Sequence, residues 1–250
     1  MADQTIVPIG GGKFCDGLAD FLNGLTGKER PRVLYIGTAS AEDPEQALRT
    51  YDRFGSFGDV TRLEFFPWPP EDLRSTVLDQ DLIFVGGGNT ANMLAVWRAH
   101  GMDAILREAW ERGIVLCGQS AGAMCWFEFG ITASSGRPVP ARGLGLLPGT
   151  LSVHHGRDPQ RRAALLDEIA SRELPGGYAL DDGAGLLFEG TRPVEAFAGT
   201  RGARVVRVER EGAGVVEREL HPIPLRQELP TVDPAIAERR ALRRMKAAAR

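Results

Sequence analysis

The sequence predicts an α/β fold: a mostly parallel, doubly wound sheet with helices on both faces and antiparallel strands at its C-terminal edge. Three observations predict it. Over the first half of the 250 residues, short apolar runs alternate five times with segments of helical periodicity, the pattern of parallel strands joined by crossover helices. Glycine clusters at Gly10 to Gly12, Gly86 to Gly88 and Gly118 to Gly122 end three of those runs. They therefore share the edge at the strand carboxyl ends, where such sheets hold their binding crevice. Beyond Val194, three further apolar runs separated by glycine turns read as an antiparallel meander.

Ile6-Val7-Pro8-Ile9 is the first strand, and Leu18, Phe21, Leu22 and Leu25 then recur at helical spacing. Arg32 to Gly37 is the second strand, Asp43 to Tyr51 a helix with Pro44 in its first turn, and Val60 to Phe65 the third strand. Pro67-Trp68-Pro69-Pro70 breaks the chain before a short helical piece. Asp81 to Val85 is the fourth strand. Met93, Val96, Trp97 and His100 mark one face of the next helix, and Met102 to Arg112 forms another that leads to the strand before Ser120. A helix follows Ser120 and contains Glu128.

Thr132 to Gly149 reads as a Gly/Pro-rich loop, a candidate lid over a substrate. Leu151-Ser152-Val153 is a short strand delivering His154 and His155. Pro159 to Ala170 is a helix with Ala163, Leu166 and Ile169 inward, and Tyr178 to Leu180 reaches Asp181-Asp182-Gly183. Val194 to Ala198, Ala203 to Val208 and Val215 to Leu220 form the meander, read as the edge of the same sheet. Residues 1–229 are expected to form one α/β domain, and 230–250 a basic helical tail in which Leu242, Met245 and Ala249 offer a docking stripe.

Hydrophobic residues at 43% and charged residues at 25% are ordinary globular values and exclude disordered and fibrous classes. A net charge of -3 argues against a nucleic-acid partner, which needs a clustered basic face. Cys15, Cys117 and Cys125 fall in no metal-ligand spacing and suit a reducing compartment. With no leader-like N-terminus and no apolar run of spanning length, the expectation is a cytoplasmic monomer or homodimer without metal, cofactor or membrane partner.

Gly118-Gln119-Ser120-Ala121-Gly122 fits Gly-x-Ser-x-Gly, in which a serine sits on a sharp strand-to-helix turn with its hydroxyl exposed. A serine hydroxyl is a weak nucleophile at neutral pH, so it needs a base within hydrogen-bond reach and a third group to orient that base. The histidines are His100, His154, His155 and His221. His100 ends an amphipathic helix, and His221 follows the meander, away from the crevice. His154 and His155 stand at a strand end, and since neighbours on an extended chain point to opposite sides, only one can face Ser120. Asp182, with Asp181 as substitute, is the simplest acid. An order of Ser120, Asp182 and His221, as in an esterase, is the competing arrangement. The N-H groups of Gly88 and Ala121 are candidate oxyanion donors. Asn89 is either a helix cap or a substrate contact.

Together, Val85-Gly86-Gly87-Gly88-Asn89-Thr90, Cys117 to Ala123, Val153-His154-His155 followed by Arg161-Arg162, and Ala179-Leu180-Asp181-Asp182-Gly183 resemble the peptidase E family of serine peptidases. That family includes aspartyl dipeptidases and, more distantly, cyanophycinases. The resemblance spans roughly the first three quarters of the chain. It implies a fold similar to the class I glutamine amidotransferase domain, with serine in place of cysteine, and a triad at Ser120, His154 and Asp182. Better-known members carry glutamate at the third position and often an aromatic residue at the place of His155. An aspartyl dipeptidase needs a guanidinium for the side-chain carboxylate. Arg137, Arg142, Arg157, Arg161 and Arg162 are available, and Asn89, His155 and Arg162 are the expected substrate contacts. The implied activity is hydrolysis of small peptides, including those with N-terminal Asp, through an acyl-enzyme. A non-catalytic amidotransferase-like binding domain is the alternative from outside enzymology.

Overall fold

The computed structural model describes residues 4–12, 16–212 and 214–225. The predicted alternation runs β1 (Thr5–Ile9), α1 (Asp16–Thr26), β2 (Arg32–Ile36), α2 (Pro44–Phe54), β3 (Asp59–Leu63), α3 (Leu73–Leu78), β4 (Leu82–Val85), α4 (Thr90–Ala99), α5 (Met102–Glu111) and β5 (Val115–Gln119). β1, β5, β4, β2 and β3 lie side by side and parallel. β1 and β4 are buried along their whole length, as strands covered on both faces must be. The outer strand β3 is largely exposed and carries Thr61 and Arg62. Charge on an edge discourages pairing with another chain. Caps hold the helices in phase: Asp43 accepts from Glu45 N, Asp72 from Ser75 N and Asn89 from Asn92 N, all at 2.9 Å.

The rest of the chain is α6 (Ala121–Met124), β6 (Phe127–Thr132), β7 (Val139–Arg142), β8 (Leu147–Val153), α7 (Pro159–Ala170), β9 (Gly177–Leu180), β10 (Ala184–Glu189), β11 (Arg192–Ala198), β12 (Val205–Glu211), β13 (Gly214–Leu220) and β14 (Ile223–Pro224). β10 joins β1 antiparallel, β11 follows antiparallel, and β14 closes that edge to complete an eight-stranded sheet. A second sheet has the order β13-β12-β9-β8-β6-β7. The expected antiparallel edge strands are present, but the meander is split between the sheets. β11 stays in the first, while β12 and β13 join the second because β12 pairs with β9 from Val205–Leu180 to Val208–Gly177.

Three further expectations change. The helix after Ser120 has four residues only, and Glu128 lies on β6, where its carboxylate accepts from Gly149 N at 2.8 Å. Much of the expected loop from Thr132 to Gly149 is strand, since β7 pairs antiparallel with β6 and β8 begins at Leu147. On α7 the buried positions are Arg161, Leu165 and Ile169, whereas Ala163 is exposed. The expected basic helix at 230–250 and its docking stripe lie outside the described residues, as does Cys15.

One face of the eight-stranded sheet is covered by Leu18, Phe21, Leu22 and Leu25 of α1 and Phe54 of α2, which meet Val7, Val33, Phe84 and Cys117. The other face is shared. Val77, Met93, Trp97 and Leu106 come from α3, α4 and α5, and the second sheet covers the remainder. At that junction Phe188 of β10 meets Phe127 and Tyr178 edge-on, each with ring centroids 5.7 Å apart. α7 covers the outer face of the second sheet through Leu165 and Ile169. No described helix is long and apolar enough to cross a membrane.

Candidate active site

Ser120 turns the chain from β5 into α6 with φ 56° and ψ −111°. A non-glycine residue there costs about 1–3 kcal/mol, and the surroundings have to enforce it. Its own N-H donates to Ile9 O at 3.0 Å, and its carbonyl accepts from Ala123 N and Met124 N. Gly118 and Gly122 make the turn possible by close approach. A Cβ on Gly118 would strike the carbonyl of Gly122, and one on Gly122 would strike the carbonyl of Val85.

His154 follows β8 and Asp182 follows β9, so both come from the six-stranded sheet, while Ser120 comes from the eight-stranded one. Ser120 Oγ and His154 Nε2 are hydrogen-bonded at 2.9 Å. His154 Nδ1 is hydrogen-bonded in turn to Asp182 Oδ1. With the carboxylate ionised, Nδ1-H donates to it, which leaves Nε2 as the acceptor for the Ser120 hydroxyl. The other oxygen of Asp182 accepts from exposed Arg157 at 3.1 Å. Gly11, with φ 140°, passes directly over this pair, and a side chain there would strike the His154 ring. The sequence offered a signal for that position in the glycine cluster after β1, without saying what would sit against it.

Neighbouring candidates are engaged elsewhere. Asp181 accepts from Gly156 N at 2.7 Å and from both the main chain and Nε of Arg204 at 3.0 Å. His155 is 2% exposed and its Nε2 is hydrogen-bonded to Glu217 at 2.6 Å. Burial holds the His155 pKa below its ordinary value against the opposing pull of Glu217. Arg162 is paired with the same Glu217. Neither His155 nor Arg162, both expected at the substrate, lines the cavity beside Ser120. His221 is exposed between β13 and β14 and, among the described residues, shares no hydrogen bond with Ser120 or Asp182. Burial pushes the Cys117 thiol well above its ordinary pKa, which leaves it unreactive.

That cavity, of about 220 Å³, is bounded by Ser120, Gly88, Asn89, Thr132, Ser134 and Arg161. Asn89 caps α4 and donates to Ser134 O at 3.2 Å, joining the cavity's two rims. Among the described residues neither Gly88 N nor Ala121 N is spent on another group. The Arg161 side chain is 10% exposed; its Nε lies 3.4 Å from Asp158 Oδ2 in a long ion pair, and its Nη1 donates to Val153 O at 3.4 Å. Burial lowers its pKa, while Asp158 and Asp182 act in the opposite direction. A signal for Arg161 was present: it stands four and eight residues before Leu165 and Ile169, on the stripe that α7 buries. Among the described residues no cluster of three or more His, Cys, Asp or Glu side chains is arranged to hold a metal ion.

This architecture is shared with solved peptidase structures. A peptidase from an acI-B1 Actinobacterium aligns with TM-score 0.62 at 19% identity, covering 88% of this chain and 95% of that one. A putative peptidase E protein from Listeria monocytogenes EGD-e aligns with TM-score 0.57 at 17% identity, covering 80% of this chain and all of that one. At such identities the likeness is one of fold, and it sets the class: an α/β protein built on the same architecture as those two structures. In sequence, the model of peptidase family S51 matches residues 7–195. "Uncharacterized peptidase YgaJ" of Bacillus subtilis (strain 168) is 38% identical over 228 residues, covering 89% of this chain and 97% of that protein. "Peptidase E" of Shewanella denitrificans is 32% identical over 131 residues, 48% of this chain and 55% of that protein. The chain belongs to peptidase family S51.

Proposed function

We propose that this peptidase is a serine enzyme that hydrolyses small peptides through an acyl-enzyme, with a preference for Asp at the N-terminal residue. The observation that carries the reading is the hydrogen-bonded series from Ser120 Oγ through His154 to Asp182. Ser120 Oγ attacks the carbonyl carbon as its proton passes to His154 Nε2, and Asp182 stabilises the imidazolium that forms. The turn at Ser120 serves as a nucleophile elbow. The amides of Gly88 and Ala121 receive the negative charge that develops on the carbonyl oxygen. Collapse breaks the C–N bond as His154 returns the proton to the departing amine. Water, deprotonated by the same imidazole, then releases the acyl group and regenerates Ser120.

The preference for Asp rests on Arg161, a largely buried guanidinium at the wall of the Ser120 cavity whose contacts to Asp158 and to Val153 O are long, 3.4 Å each. A carboxylate there gains a charge-assisted hydrogen bond in a shielded setting. Ser120→Ala is expected to abolish turnover of Asp-Xaa peptides and to leave the melting temperature within a few degrees of the parent. Undiminished turnover by that variant would remove the assignment. Arg161→Met is expected to erase discrimination between Asp-Xaa and Asn-Xaa substrates, and retained discrimination would move the specificity elsewhere.

A further inference from the structure

At the carboxyl edge of the eight-stranded sheet, β1 ends at Ile9 and continues as Gly10-Gly11-Gly12, a strap between the Ser120 turn and the Asp181–Ala184 turn. On the acid side main-chain bonds hold it: Gly10 N donates to Ala184 O and Gly183 N donates to Gly11 O, both at 2.8 Å. On the nucleophile side its root is held where Ile9 O accepts from Ser120 N at 3.0 Å. Its far end is held by a side chain. Gln119 closes β5 beside Ile9 in the parallel register, and its Nε2 donates to Gly12 O at 2.7 Å. Among the described residues Gly12 makes no other hydrogen bond. Gly12 is exposed, and both residues border an open hollow of about 160 Å³, so packing does little to fix the strap there. Gln119 is the first x of Gly-x-Ser-x-Gly, a place that the pattern leaves open.

The strap covers the pair formed by His154 and Asp182. A Cβ on Gly11 would stand 2.7 Å from both His154 Nδ1 and Asp182 Oδ1, and one on Gly12 would stand 2.9 Å from Asp182 Cβ. The main chain therefore lies against the bond between imidazole and carboxylate and keeps water from competing for it. An imidazole held at its two nitrogens alone can still tilt about the line through them. His154 also has φ 59°, a conformation that its own backbone disfavours, so its place is set by what packs against it.

We propose that Gln119 is a positioning residue: by tying Gly12 to β5 it seats the strap on His154 and Asp182 and keeps Nε2 aimed at Ser120 Oγ. The inference deepens the serine-peptidase reading above and rests on it. The strand that carries the nucleophile thereby also fixes the roof over its base. The two sheets that supply the three groups are joined at the level of the reacting atoms, β5 through Gln119 and the β9–β10 turn through Gly11 O.

The test uses two full-length variants. Gln119→Met keeps the side-chain length and removes the donor, and Gly12→Ala displaces the strap from the Asp182 side without touching β5. Each is compared with wild type in steady-state cleavage of Asp-Ala and in the low-field proton resonance of His154 Nδ1-H in the resting enzyme. In both variants kcat is expected to fall about tenfold, part of the about 100-fold that a displacement of about 1 Å can cost, with KM within about twofold. The resonance is expected to broaden or to move toward that of a solvent-exposed imidazole. Where the left-handed φ of 77° at Gly12 leaves the alanine variant unfolded, Gln119→Met decides. An unchanged kcat in Gln119→Met overturns the assignment, whatever its melting temperature. A lowered kcat with the resonance untouched places the effect at the Ser120 turn and overturns it too. If wild type shows no Ser120-dependent cleavage, the peptidase reading falls, and the resonance in Gln119→Met alone decides whether Gln119 holds the pair.

Discussion

Asp181 sends its two carboxylate oxygens to Gly156 N and to Arg204. Asp182, one residue on, receives the His154 imidazole and the exposed guanidinium of Arg157. The proposed chemistry therefore assigns them opposite sensitivities. Asp182→Asn is expected to lower kcat by about 10⁴-fold with little change in stability, because an amide favours the wrong imidazole tautomer. Asp181→Asn is expected to cost about 1–2 kcal/mol of stability, through the lost charge on backbone and Arg204 donors, and to spare kcat. Denaturant titrations and steady-state kinetics on both variants decide this, and a kcat loss centred on Asp181 would reverse the roles. Sequence alone left the two open, since an Asp-Asp-Gly turn does not say which side chain faces which way. The turn geometry that decides it comes from β9 and from Arg204, the residue just before β12.

Elements were legible where they bury a local pattern and illegible where pairing across the chain decides. α1 and β1 to β5 follow their apolar periods. β6 was hidden because Phe127-Glu128-Phe129 alternates for only a few residues directly after a short helix. β7 and the start of β8 were hidden by Pro140, Gly145 and Pro148, which read as breakers. Nothing local separates β11 from β12; the difference lies in β12 pairing with β9. The outermost strand of that sheet, β13, is fastened by Glu217, which holds both His155 and Arg162. Arg162 first, and His155 with it, keep Glu217 below the ordinary carboxylate range.

This fastening is sensitive to acid in two windows. Folded His155 has a pKa below 6.5, so as pH falls through about 6.5 the unfolded chain takes up a proton first and stability declines toward the folded value. Glu217, also lowered, contributes stability above its unfolded pKa of about 4.3 that is lost as pH falls through its folded pKa. Unfolding midpoints measured from pH 7.5 to 5 are expected to fall in wild type and to fall less in His155→Gln. An identical slope in the variant would place the acid sensitivity on another group.

At the scale of the molecule, the proposed catalytic groups belong to two different sheets, with Ser120 at the end of β5 and His154 and Asp182 at the ends of β8 and β9. Their alignment depends on how the sheets seat against each other, and that seat includes the ring cluster of Phe188, Phe127 and Tyr178. A displacement of about 1 Å between reacting groups can cost about 100-fold in rate. Phe188→Leu removes the edge-to-face contacts while keeping the site apolar, so it is expected to cost about 1–2 kcal/mol and to lower kcat by about tenfold with KM little changed. Val77→Ala, buried on α3 away from this junction, costs about as much stability by leaving a small cavity and is expected to spare kcat. Comparing the two separates general loosening from misregistration. Equal kcat in both variants, each measured well below its melting temperature, would mean that the loops carrying Ser120 and His154 hold their geometry without help from the sheet-to-sheet packing.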